Sequence, residues 1–271
     1  MKVVLFCGGQ GLRLREYAGS IPKPLVPIGS RPILWLLMRY YAHFGHREFI
    51  LCLGYRGELI EQYFLEHDGA DAHSLVRASG ALKLTLHHRD RESWTITLVE
   101  TGLEANVGQR LKAVERYLHH EQMFLANYAD GLTDLALPFY LREFQQRGTI
   151  AAFVTVRPRQ TFHLVSSGAG GLVDGIRSMT DVDLWMNGGF FAFKPEIFKY
   201  VGEGEELVEE PFRRLIAQRQ LMTHRHLGFW ACMDTFKDKQ LFDEMNARAD
   251  VPWEVWCQPA QGASRDVSPP C

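Results

Sequence analysis

Four features of this chain carry residue types that could do chemistry. Gly8-Gly9-Gln10-Gly11-Leu12-Arg13-Leu14 follows an apolar run at residues 3–7. Glycines at 8, 9 and 11 let the backbone fold so closely that its N–H groups can face one anion. Arg13 and Lys23, the latter held in Pro22-Lys23-Pro24, supply the positive charge that bare amides lack. Asp130 sits beside Gly131 after an apolar run, and Asp234 lies within Phe229-Trp230-Ala231-Cys232-Met233-Asp234-Thr235. A carboxylate among such apolar neighbours is costly to bury unpaired. Magnesium would partner both, since it binds through one or two carboxylates plus substrate phosphates. Read alone, the loop also fits a plain glycine turn after a core strand, and Asp130 a turn aspartate.

Other phosphate loops fit the residues poorly. A dinucleotide fingerprint needs a third glycine where Leu14 stands, and a Walker loop needs Gly-Lys-Ser/Thr, which does not follow. The rest of a kinase signature set is missing. His43/His46, His87-His88, His119-His120 and His224/His226 invite a metal reading. None of them stands in His-Glu-x-x-His or beside Cys or carboxylate at ligand spacing, so we read them as solvated or structural.

A length of 271 residues suits one large α/β domain. A formal charge of −2 and a pI near 6.6 give no footprint for nucleic acid, so nucleotide affinity must come from a local site. Met1 to Phe6 run straight into the glycine loop, and no apolar run reaches membrane-span length, so we expect neither signal peptide nor membrane segment. Five scattered cysteines argue against a disulfide framework and a zinc site, and for a reducing cytoplasm.

The elements that must position these residues alternate. Strand patterns at 3–7, 48–53, 123–128 and 150–156 interleave with helical patterns at 33–44, 58–66, 108–118 and 137–147. We therefore expect an α/β fold, a mostly parallel Rossmann-like sheet flanked by helices. Residues 83–99 read as a small antiparallel ribbon or sheet extension, and 209–220 and 237–248 as further helices. Pro32 starts a segment apolar on nearly every face, which predicts a deeply buried helix. Residues 1–257 form one expected domain, with a disordered tail at 258–271. Ligands in such sheets collect at the carboxyl ends of strands, where Gly8 and Asp130 both fall.

The ordered strings extend the reading. Beyond the loop they are Lys23-Pro24, Arg31-Pro32-Ile33-Leu34-Trp35, Gly54-Tyr55-Arg56-Gly57, Thr97-Leu98-Val99-Glu100-Thr101-Gly102, Arg110-Leu111-Lys112, Asp130-Gly131, Met186-Asn187-Gly188-Gly189 and Met233-Asp234-Thr235. Together they resemble the sugar-phosphate nucleotidylyltransferases over nearly the whole chain, to about Trp256. The segment from Trp94 to Gly102 looks like the glucose-1-phosphate cytidylyltransferase branch. The resemblance implies a nucleotide-diphospho-sugar transferase type of fold and transfer of a nucleotidyl group from CTP to a sugar 1-phosphate, with magnesium and a homo-oligomeric state. It also implies roles. Phe6, Gly8, Gly9 and Gly11 would border the triphosphate, with Arg13 on the pyrophosphate and Lys23 near the α-phosphate. Thr101, Gly102 and Arg110 would neighbour base or ribose. Asp130 and Asp234 would hold magnesium, and His163, Asn187, Gly188 and Asp234 would face the acceptor.

Four positions depart from the family pattern. Leu12 stands for a threonine and Gln109 for a glycine, and His163-Leu164 replaces a small Gly-Ala step. The stretch from Ser178 to Trp185 lacks the family's Glu-Lys-Pro, so the lysine that would face the sugar phosphate is absent. Losing such a cation costs roughly 2–5 kcal/mol. Three outcomes stay open: replacement by His163, Arg157, Arg159 or Arg177, a different acceptor, or loss of activity. The corresponding alternatives are a non-catalytic nucleotide- or sugar-phosphate-sensing subunit and a different nucleotide such as dTTP or UTP.

Overall fold

The computed structural model describes residues 1–9, 21–66, 73–78, 81–87, 93–158 and 162–257. Gly11, Leu12 and Arg13 of the glycine loop, Arg159, and the tail at 258–271 lie outside these.

In chain order the strands are β1 (Lys2–Phe6), β2 (Pro27–Ile28), β3 (Arg31–Pro32), β4 (Glu48–Leu53), β5 (His73–Ala78), β6 (Ala81–His87), β7 (Ser93–Glu100), β8 (Phe124–Tyr128), β9 (Gly131–Thr133), β10 (Ala151–Val156), β11 (His163–Ser167), β12 (Val173–Ser178), β13 (Met186–Asn187), β14 (Phe191–Phe193), β15 (Leu221–His226) and β16 (Trp230–Cys232). The helices are α1 (Ile33–His43), α2 (Gly57–Glu66), α3 (Val107–Ala113), α4 (Leu137–Arg147), α5 (Glu210–Ala217) and α6 (Phe236–Ala247).

One large sheet runs β13-β10-β14-β8-β1-β4-β7-β6-β5, with β15 also paired to β10. β1 is parallel to both β4 and β8, and β4 to β7. Strands β14 and β13 on one side and β6 on the other are antiparallel to their neighbours, and β15 is parallel to β10. The expected mostly parallel α/β sheet with a small antiparallel extension is therefore present. Its ribbon is continuous with the sheet, because β7 pairs with β4 on one edge and β6 on the other.

Helices cover both faces. Val3 and Leu5 face a core with Leu34, Leu37 and Tyr41 of α1, Phe64 of α2, Phe144 of α4 and Phe242 of α6. Val4 and Phe6 face the opposite core, with Leu111 of α3 and Leu215 of α5. Alternate residues of one strand feed different layers, as a sheet buried on both faces requires. Helix α1 buries Ile33, Leu34, Leu36, Leu37, Met38, Tyr40, Tyr41 and Ala42, matching its all-round apolar sequence.

The order of connections locates the ligand. From β1 the chain moves outward through β4 to β7, then returns to β8 on the other side of β1. That reversal is a topological switch point, where strand carboxyl ends leave a crevice. Gly8 follows β1 there and Asp130 follows β8.

Cys7, Cys52 and Cys232 are free thiols.

Candidate active site

Register brings the two carboxylates together. β9 pairs antiparallel with β16, Gly131 opposite Cys232, and Met233 N donates to the Asp130 carbonyl at 2.9 Å. Asp130 just before one strand and Asp234 just after the other therefore emerge at the same end of this ribbon. Lys23 meets them there. Pro22 and Pro24, both buried, fix the backbone on either side of it, and a 3-10 turn runs over Lys23–Leu25. Its Nζ donates to Asp130 Oδ2 at 2.5 Å and to Asp234 Oδ1 at 2.6 Å. Burial pulls the Lys23 ammonium toward losing its proton, but the two carboxylates outweigh burial and hold its pKa above the ordinary value. The cluster is one cation between two anions.

Beside it opens a cavity of about 380 Å³ lined by Asn127, Tyr128, Asp130, Gly131, Met186, Asn187, Gly188, Trp230, Cys232 and Asp234. Asn187 Nδ2 donates to the Tyr128 hydroxyl at 3.2 Å, and Trp230 Nε1 to the Gly188 carbonyl at 2.9 Å. Gly188 is closely surrounded: a Cβ there would lie 3.0 Å from Val156 Cγ1 and 3.3 Å from the Trp230 indole nitrogen, so a neighbour would have to give by a few tenths of an ångström. Burial pushes the Tyr128 phenol up to about 12, so it stays protonated. Burial, then Asp234 and Asp130, push the Cys232 thiol up to about 12. Among the described residues, no thiolate nucleophile faces the cavity at neutral pH.

The glycine-loop side is organised by Arg110, which is buried. Its guanidinium donates to the Leu53 carbonyl at 2.9 Å, Thr101 Oγ1 at 2.7 Å, the Gly8 carbonyl at 3.0 Å and the Leu103 carbonyl at 3.3 Å. Thr101 Oγ1 in turn donates to the Leu53 carbonyl at 2.6 Å. One side chain thus ties together the chain leaving β1, β4 and β7. Helix α3 presents it, started by a capping box between Asn106 and Gln109. Gln109, one of the departures from the family pattern, is therefore a capping residue.

Several expected site residues converge. Lys23, Asp130, Asp234, Asn187 and Gly188 gather at the cavity. Phe6 ends β1 with its ring 6.4 Å from that of Tyr128. Gly8 is buried against Arg110, Gly9 is exposed, and Gly102 adopts φ +101°, a left-handed value that suits glycine. Arg110 and Thr101 sit among backbone carbonyls in a positioning network. His163 is on the exposed β11–β12 hairpin and is not among the residues that line the cavity. The cavity-lining Tyr128, Met186, Trp230 and Cys232 were not singled out in the sequence, although each adjoins a motif that was. Of the histidine pairs, His224 Nδ1 lies 2.7 Å from Glu143 and His226 Nε2 2.9 Å from Asp134.

Known proteins resemble this chain in sequence and in fold. A family model described as nucleotidyl transferase matches residues 2–249. A protein of Bacillus subtilis (strain 168) named "Probable glucose-1-phosphate cytidylyltransferase" is 35% identical over 259 residues, 94% of this chain and 100% of that protein. The glucose-1-phosphate cytidylyltransferase of Salmonella typhimurium (strain LT2) is 32% identical over 257 residues, again 94% and 100%. A solved UDP-glucose pyrophosphorylase complexed with UDP-glucose superposes with a TM-score of 0.65 at 13% identity, covering 92% of this chain and 98% of that one. At that identity it shows a shared fold alone.

Proposed function

The chain belongs to the nucleotidyl transferase family, and from that premise we propose that it transfers a cytidylyl group from CTP to a sugar 1-phosphate, glucose 1-phosphate being the first acceptor to test. The observation that carries this reading is the convergence of Lys23, Asp130 and Asp234 at the switch point of the sheet. In the step, a phosphate oxygen of the sugar 1-phosphate attacks the α-phosphorus of CTP. A new P–O bond forms as the bond from that phosphorus to the bridging oxygen breaks, and pyrophosphate leaves with the electron pair. The sugar phosphate attacks directly and no side chain is cytidylylated, so the protein contributes position and charge.

Lys23, kept charged by its two carboxylates, is placed to neutralise charge developing on the α-phosphate. Arg110 fixes the backbone around Gly8 and Thr101, and so the seat of the triphosphate and base. Asn187 and the Gly188 backbone face the acceptor. Asp130 and Asp234 would hold magnesium: two hard carboxylates turned toward one cation match what that ion takes beside phosphate. When bound, the ion would supply charge neutralisation on the triphosphate. A cytoplasmic, homo-oligomeric protein completes the proposal, the latter testable by light scattering.

Purified protein incubated with CTP, magnesium and glucose 1-phosphate should release pyrophosphate and form the nucleotide sugar. Absence of pyrophosphate across a panel of nucleoside triphosphates and phosphorylated sugars would overturn the reading.

A further inference from the structure

Among the described residues, those lining the cavity include two carboxylates and no cationic side chain, and Lys23 is already shared by those carboxylates. A sugar phosphate arriving there needs positive charge at the other end. The stretch from Ser178 to Trp185, where the family resemblance leads one to expect a lysine, supplies a tryptophan that gathers arginines. Trp185 immediately precedes the cavity-lining Met186. The Arg225 guanidinium lies 4.9 Å from the Trp185 ring centroid and that of Arg157 lies 5.5 Å from it. The indole is itself anchored, with Nε1 donating to Asp183 Oδ1 at 2.8 Å.

Strand register puts this cluster on the correct face. Thr155 of β10 pairs with Asn187 of β13 on one side and with Arg225 of β15 on the other. Residues in register on adjacent strands point to the same side of a sheet, about 4.8 Å apart per strand. Asn187, Thr155 and Arg225 therefore form a row on one face, at the end of the sheet where the cavity opens. Arg157 shares Asp183 at 3.6 Å, whereas Arg225 has no ion pair among the described residues. Two guanidiniums held against one indole, one of them without a counter-ion among the described residues, suit a phosphate. The planar fork matches phosphate oxygens and stacks on an aromatic ring as an ammonium does not. Of the other candidates, His163 and Arg177 lie on the exposed β11–β12 hairpin.

Resting on the nucleotidyl-transfer reading above, we propose that Arg225, with Arg157, binds the phosphate of the acceptor, and that Trp185 is the positioning residue that aims both. Arg225 is thus the substitute for the absent lysine, and it selects a phosphorylated acceptor over a neutral sugar.

The test compares wild type with R225A, R225K, R157A, W185A and W185F. Each is measured by steady-state kinetics with CTP and glucose 1-phosphate, and by calorimetric titration with glucose 1-phosphate and with glucose. Both arginines are exposed, so unchanged thermal melts are expected. R225A should raise the KM for glucose 1-phosphate roughly 10- to 100-fold, the range of a lost charge-assisted contact, with the KM for CTP within about threefold. R225K should fall between, and W185F should restore what W185A loses. An R225A variant with wild-type acceptor KM overturns the inference and leaves the transferase reading intact. If wild type shows no turnover, the transferase reading fails instead, and titration decides. Loss of glucose 1-phosphate binding in R225A then supports the phosphate seat, and equal binding, or none by wild type, overturns it.

Discussion

Gly8 and Arg110 compete for the same space. A Cβ on Gly8 would lie 2.0 Å from Arg110 Nη1, while Nη2 of the same guanidinium donates to the Gly8 carbonyl at 3.0 Å. The guanidinium cannot simply swing aside, because it also holds Leu53, Thr101 and Leu103. G8A should therefore cost about 2–4 kcal/mol by breaking this clamp, and R110A a similar amount by leaving buried carbonyls unpaired. The two costs should not add. In the R110A background the clash is gone, so G8A should cost much less than in wild type. Urea unfolding of the four proteins measures this, and strict additivity would show that the clamp does not operate in solution.

Lys23 offers a second test, on activity and on pH. K23M removes the cation between Asp130 and Asp234 and should lower turnover roughly 10²- to 10³-fold. Burial lowers the proton affinity of Lys23, and the two aspartates more than reverse this, so its folded pKa lies above the ordinary lysine value of 10.5. A raised folded pKa gives stability that is fully present below the unfolded value and is lost as pH rises through the folded one. The stability difference between wild type and K23M should be flat from about pH 6 to 9 and shrink only above about 10.5. A collapse already near pH 8 would mean that the amine titrates in the working range.

How much of this was legible follows from what each residue's environment depends on. Helices α1 and α4 were readable almost to the residue because apolar spacing and a proline at the start are local signals. β15 is not legible in the sequence: Leu221–His226 is only half buried and lacks strong alternation, and the helical pattern before it runs to 220. The β11–β12 hairpin was missed because it is exposed on both faces, so no burial periodicity marks it. In the site, Asp130 and Asp234 were visible because an acid among apolar neighbours demands a partner. That the partner is Lys23 depends on the β9–β16 register, which is not local. Arg110 had the right type but an unexpected setting, since burial of its guanidinium is set by three strand ends meeting. Arg225 carried no signal, because its place beside Trp185 comes from two strands pairing with β10.

His46 predicts acid sensitivity away from the site. Burial, aided by the positive N-terminal amino group, pushes its pKa down to about 4, and its Nδ1 is buried without a hydrogen-bond partner among the described residues. The folded state holds the imidazole neutral, whereas the unfolded chain protonates it below about pH 6.5. Stability should therefore decline between pH 6.5 and 4 by about 1–3 kcal/mol from this group alone. H46Q should flatten that part of the curve in thermal melts. A wild-type decline unaltered in H46Q would assign the acid loss to other groups.

The capping box of α6 links stability to catalysis. Thr235 accepts from the Asp238 amide at 3.3 Å, while Asp238 Oδ2 accepts from Thr235 N at 2.7 Å, Thr235 Oγ1 at 2.8 Å and Asp234 N at 3.1 Å. T235A removes the cap alone and should cost about 1 kcal/mol with little effect on turnover. D238A removes the carboxylate that also fixes the Asp234 backbone, so Asp234 loses its aim at Lys23. It should combine a similar loss of stability with a drop in kcat of roughly three- to tenfold, the KM for CTP being nearly unchanged, because misplacement of a catalytic group is felt in the transition state. D238N, which keeps one acceptor oxygen in place, should recover most of that kcat. Equal kcat values for T235A and D238A would mean that Asp238 serves the helix only and that other contacts aim Asp234.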